Sequence, residues 1–117
     1  MIDKSKFYIN GTWVNPILKN DFEVINPSNE ESYAIISLGS KKDVDIAVSA
    51  AKKAFITWSQ VDKREKISLL EKLLKIYKSR WDEITQTMSE EMGAPLEWSS
   101  SAQTSSGADH IDDFILR

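Results

Sequence analysis

Between Ile67 and Met88, the apolar side chains Ile67, Leu70, Leu74, Tyr77, Trp81, Ile84 and Met88 recur at alternating spacings of three and four. That is one face of a helix, and it has to bury a continuous seam against something. Leu69, Leu73 and Ile76 widen the stripe beyond a narrow coiled-coil seam, which predicts a helix packed in a globular core. Asp62-Lys63-Arg64-Glu65 offers a cap for its start, and Gly93 a left-handed stop for its end. Pro95 then suits the first turn of a further helix. The first half of that helix, Ser99 to Gly107, is made of small residues with poor helix propensity. Isolated, such a stretch is marginal; its small side chains suit packing against a partner better than a flexible linker.

The chain before Asp62 reads differently. Phe7-Tyr8-Ile9 and Thr12-Trp13-Val14 are β-prone and flank Asn10-Gly11, a pair that tolerates the two positive φ angles of a type I′ turn, so a short hairpin is expected. Two more strands are expected at Phe22–Ile25 and Tyr33–Ile36, separated by the turn cluster Asn26-Pro27-Ser28-Asn29. Ser40 and Asp43 have capping-box spacing. They open a helix whose apolar face runs through Val44, Ala47, Val48, Ala51, Phe55 and Trp58. Strands followed by three helices make an α+β arrangement. Its core is thin for so many large apolar residues, which implies missing partners in the same chain or in another subunit.

Composition closes several routes to function. Fifteen basic and eighteen acidic residues leave a net charge of -3, which argues against a nucleic-acid partner or a polybasic membrane contact. No apolar run approaches the ~18 residues of a spanning helix. The start, Met1 to Lys6, lacks the apolar stretch of a secretion signal, so a cytoplasmic location is expected. The absence of cysteine removes thiolate chemistry, and with His110 as the lone imidazole a Ser-His-Asp triad or a histidine-rich metal site is nearly excluded. His110 lies near Asp109, Asp112 and Asp113, a pattern that more often means a solvated face than a metal site. Trp13, Trp58, Trp81 and Trp98 are read as packing residues rather than ligand-stacking ones. Glu90 and Glu91 are adjacent on a helix and point about 100° apart, so they do not form a paired-carboxylate site.

Five segments carry a family resemblance. Phe7-Tyr8-Ile9-Asn10-Gly11-Thr12-Trp13-Val14 resembles the opening "F-I-N-G-x-W-V" of NAD(P)-dependent aldehyde dehydrogenases. Ile25-Asn26-Pro27-Ser28 is similar to that family's Asn-Pro turn. The run Asp43 to Phe55 with Trp58 is similar to its "D-V-D-x-A-V-x-A-A-x-x-A-F-x-x-W", and Arg64 with Leu70 to its "R-x-x-x-L". Glu90-Glu91-Met92-Gly93-Ala94-Pro95 resembles "(S/T)-x-(D/E)-x-G-K-P", with Ala94 in place of the commoner lysine. The Met-Gly-Ala-Pro variant, followed by Gln103, Gly107 and His110, is similar to a bacterial subgroup acting on semialdehydes or ω-oxo acids.

The resemblance implies oxidation of an aldehyde to a carboxylic acid with NAD or NADP, in a cytoplasmic homodimer or homotetramer. It also implies that residues 1–117 are the N-terminal part of an aldehyde dehydrogenase domain, roughly its first quarter. The family's catalytic cysteine, general base and main cofactor contacts lie beyond Arg117, so no catalytic or cofactor-binding residue is assigned in this chain, and the chain alone is expected to be inert. One site carries over in part: Val24, Ile25 and Glu91 match positions that bind a monovalent cation, candidate K+, through two backbone carbonyls and a carboxylate, the hard donors such an ion favours. The alternatives are a stand-alone helical interaction module using the Ile67–Met88 stripe, or a non-functional gene remnant.

Overall fold

The computed structural model describes all 117 residues. They form two units: Met1–Ile25 with Glu30–Gln60, and Asn26–Asn29 with Val61–Arg117.

In the first unit, β2 (Phe7–Ile9) and β3 (Thr12–Val14) pair antiparallel, with Tyr8 opposite Trp13. Asn10 and Gly11 both take positive φ, 53° and 80°, the two left-handed residues that the Asn-Gly pair anticipates. The Tyr8 and Trp13 rings meet across the strands with centroids 5.3 Å apart. A separate three-stranded sheet has the order β1-β5-β4, from β1 (Ile2–Lys4), β5 (Glu31–Ser37) and β4 (Asp21–Asn26). β1 runs parallel to β5, with Ile2 opposite Ala34. It has no apolar alternation to announce it, because Asp3 and Lys4 give it the charged character of an edge strand.

Helix α1 (Lys41–Trp58) begins with a capping box, Ser40 and Asp43 each bonding the other's backbone N–H. Asp43 does more than cap. Its buried carboxylate also accepts from the Ile17 backbone N–H at 2.9 Å, which ties the loop after β3 to the start of the helix. Hydrogen bonds from the Ser40 hydroxyl first, then from the Ile17 N–H, hold its pKa below the ordinary 3.8. A carboxylate depressed in the folded state stabilises at pH above its unfolded value and loses that contribution as pH falls through its folded one. Stability should therefore decline below about pH 4. In Asp43→Asn that acid slope should be shallower, as thermal melts across pH 2 to 6 would register. The apolar face expected of α1 is not covered within this unit: Val44, Val48 and Phe55 are exposed, Phe55 by 64%.

In the second unit, the stripe from Ile67 to Met88 is carried by two helices, not one. α2 (Lys63–Ser79) ends and α3 (Trp81–Met92) begins around Arg80, whose φ of -108° and ψ of 20° leave the helical region. The cause is local competition for backbone groups. The Ser79 hydroxyl donates to the Ile76 carbonyl at 2.8 Å, and the Arg80 N–H is shared between the Ile76 and Tyr77 carbonyls. The Arg80 guanidinium then grips Glu83 in the first turn of α3 with two bonds, at 2.8 and 2.6 Å. Across the break the seam persists, because the Tyr77 and Trp81 rings pack edge-on at 6.3 Å. Leu74 is buried, and Ile67, Leu70, Tyr77, Trp81, Ile84 and Met88 are half-buried. Leu69, Leu73 and Ile76, the residues that widen the stripe, are instead exposed.

Gly93 ends α3 at φ 68° and donates its N–H to the Ser89 carbonyl, as a left-handed stop should. Pro95 immediately precedes α4 (Leu96–Trp98). A π-helical turn (Ser99–Thr104) follows, and then α5 (Ser105–Leu116). Within the serine run, Ser99 and Thr104 are fully buried, so the run is packed helix and not a linker. No helix is long and apolar enough to cross a membrane.

Candidate functional site

Val24 and Ile25 sit at the end of β4, Val24 half-buried and Ile25 exposed. Glu91 is exposed in the last turn of α3, just before the chain reverses at Gly93. Its neighbour Glu90 is occupied differently: its carboxylate accepts from the Gln86 side chain at 2.8 Å. The two carboxylates therefore serve separate surroundings, as adjacent helical positions dictate.

The second unit leaves no room for a side chain at Gly93. The Asn26–Asn29 turn lies directly on it: a Cβ at Gly93 would stand 2.7 Å from Pro27 Cγ and 3.2 Å from Ser28 Oγ. Ser28 is itself fixed by its N–H to the Asn26 side-chain oxygen at 2.9 Å. Glycine is thus required twice, for its positive φ and for its missing side chain. Sequence reasoning finds the first requirement; the second appears only when the turn is placed.

The remaining candidates scatter. His110 is exposed on α5, and no three His, Asp or Glu side chains converge as a metal cluster. Trp81 is half-buried with its Nε1–H on Ser100 Oγ at 2.9 Å, as a packing residue should be. Trp13, Trp58 and Trp98 are exposed, although the Trp13 ring meets that of Tyr8 across the hairpin. In the first unit, Phe7, Ile9, Trp13, Gly39, Val44 and Ala47 line an open apolar hollow of about 520 Å³. The four glycines stand apart, in the β2–β3 turn, before α1, after α3 and inside α5, and build no phosphate cradle.

Five strands and a set of helices, with several apolar helix faces exposed, make an α+β chain. The profile of the Aldehyde dehydrogenase family matches residues 13–116, and the chain belongs to that family. A 3-succinoylsemialdehyde-pyridine dehydrogenase of a Pseudomonas species is 46% identical over 96 residues, covering 82% of this chain and 20% of the relative. Among solved structures, an aldehyde dehydrogenase of Bartonella henselae is 49% identical with a TM-score of 0.96, over 98% of this chain and 24% of its own. Aldehyde dehydrogenase C of Pseudomonas syringae, solved with NAD+ and octanal, is 33% identical with a TM-score of 0.92, over 97% and 24%. The chain therefore spans about a quarter or less of the relatives it matches. The α+β order of strands then helices corresponds to the N-terminal part of those enzymes.

Proposed function

We infer that this chain is the N-terminal part of an NAD(P)-dependent aldehyde dehydrogenase and that the intact protein oxidises an aldehyde to a carboxylic acid. In that reaction the aldehyde and water yield the acid, and NAD+ takes up hydride with release of a proton. The observation that carries the reading is the 49% identity and TM-score of 0.96 to the Bartonella henselae enzyme over 98% of this chain. NAD is favoured over NADP by the Pseudomonas syringae structure, which holds NAD+. A semialdehyde is the favoured substrate class, since a semialdehyde-named enzyme is 46% identical. The remainder of the reading follows the family: a cytoplasmic homodimer or homotetramer, with residues 1–117 inert by themselves.

The test is an assay of the intact protein against a semialdehyde and a plain alkyl aldehyde, with NAD and with NADP. Faster reduction of NAD with the semialdehyde is the expected result. Equal rates with both aldehydes would remove the substrate class, and no reduction with either would remove the reading.

Val24, Ile25 and Glu91 form the proposed monovalent-cation set, two carbonyls and a carboxylate suited to K+. Potassium should raise the melting temperature of the intact protein, and Glu91→Ala should weaken that rise. A potassium effect identical in the variant would exclude Glu91 as a ligand.

A further inference from the structure

Six residues, Ser99–Thr104, run as a π-helix between α4 and α5. A π-turn takes up one more residue than an α-turn and is uncommon enough to need a cause. Two ties from neighbouring helices meet at its end. The Tyr77 hydroxyl of α2 donates to the Thr104 carbonyl at 3.0 Å. The Thr85 hydroxyl of α3 lies 2.9 Å from that of Thr104, with both residues buried. Gly107, the next residue along the same side, faces the Tyr77 ring: a Cβ there would stand 2.9 Å from Cζ and closer still to the hydroxyl.

An uninterrupted α-helix would put each later residue about 100° out of its present phase. Ser106 would take the place of Gly107, and Gln103 that of Thr104. The Ser106 Cβ would then meet the Tyr77 hydroxyl, and the long Gln103 side chain would be driven at Thr85. Glycine at 107 and threonine at 104 suit the π register and not the α one. Two independent features, one steric and one polar, thus select the same register.

We propose that the π-turn is a one-residue register device that sets the rotational phase of α5, with the Tyr77 hydroxyl and the Thr85–Thr104 pair as its stops. In this phase Ala108 is buried and Ile111 and Ile115 are half-buried, while Asp109, His110, Asp112 and Asp113 face outward. Tyr77 and Thr85 are positioning residues: they act on the face that α5 presents.

Deletion of the exposed Ser101 from the intact protein tests this. The surplus residue is then gone, so a crystal structure should show plain α-helix from Leu96 onward, with the Tyr77–Thr104 and Thr85–Thr104 hydrogen bonds kept. The melting temperature should stay within about 5 °C of the parent. A protein that fails to fold, or an α5 rotated so that Thr104 no longer bonds Tyr77 and Thr85, would overturn the proposal. Tyr77→Phe gives a second reading that keeps the ring. Amide exchange across residues 99 to 108 should quicken about tenfold, as loss of one hydrogen bond from a local opening unit implies. Unchanged exchange would remove Tyr77 as a stop.

Discussion

Gly93→Ala should be the most damaging single-methyl change in the chain. Alanine at φ 68° meets the left-handed penalty, and its Cβ would lie 2.7 Å from Pro27 Cγ, on a ring that cannot rotate away. The left-handed backbone costs roughly 1–2 kcal/mol and overpacking roughly 1–3, for a total loss of about 2–5 kcal/mol. Urea denaturation of the intact protein measures it. A loss below about 1 kcal/mol would mean that the Asn26–Asn29 turn yields freely and does not brace the end of α3. Gly93→Asn separates the two terms, because asparagine tolerates the left-handed region but still carries a Cβ.

Gly107→Ala should also destabilise, and here the sign is the informative part. In a helix interior, replacing glycine with alanine ordinarily gains about 1 kcal/mol. At Gly107 the added methyl displaces the Tyr77 hydroxyl from the Thr104 carbonyl and presses a ring already held edge-on by Trp81. Overpacking of roughly 1–3 kcal/mol and a lost hydrogen bond of about 1 kcal/mol outweigh the propensity gain, leaving a net loss of about 1–3 kcal/mol. Combining it with Tyr77→Phe should recover part of the loss, since the colliding oxygen is gone. A stabilised Gly107→Ala protein would show that Tyr77 moves aside without consequence.

What the sequence made legible was local chemistry. Asn10-Gly11 specified its turn, because few pairs accept two positive φ angles. Ser40 and Asp43 specified a helix start, and Gly93 a helix end. Three features escaped. β1 is too charged to alternate, so only its pairing with β5 makes it a strand. The break at Arg80 has no glycine or proline to mark it and arises from a serine hydroxyl and a shared N–H. The π-turn depends on Tyr77 and Thr85, which lie 27 and 19 residues away from Thr104 in sequence.

The proposed cation ligands were legible in a different way. Val24, Ile25 and Glu91 carry no chemical signal of their own: two are ordinary strand residues and the third a common helix carboxylate. Only resemblance singles them out. The exposed rows on α1 and α2, by contrast, follow from the residues themselves. Val44, Val48 and Phe55, and Leu69, Leu73 and Ile76, are apolar positions in helical register that their own units leave uncovered.

The most direct measurement compares the intact protein with purified residues 1–117, each supplied with NAD and an aldehyde, following NADH formation. Aldehyde-dependent NADH from the intact protein and none from residues 1–117 is the predicted outcome. Turnover by residues 1–117 alone, which contain no cysteine, or none by the intact protein, would contradict it.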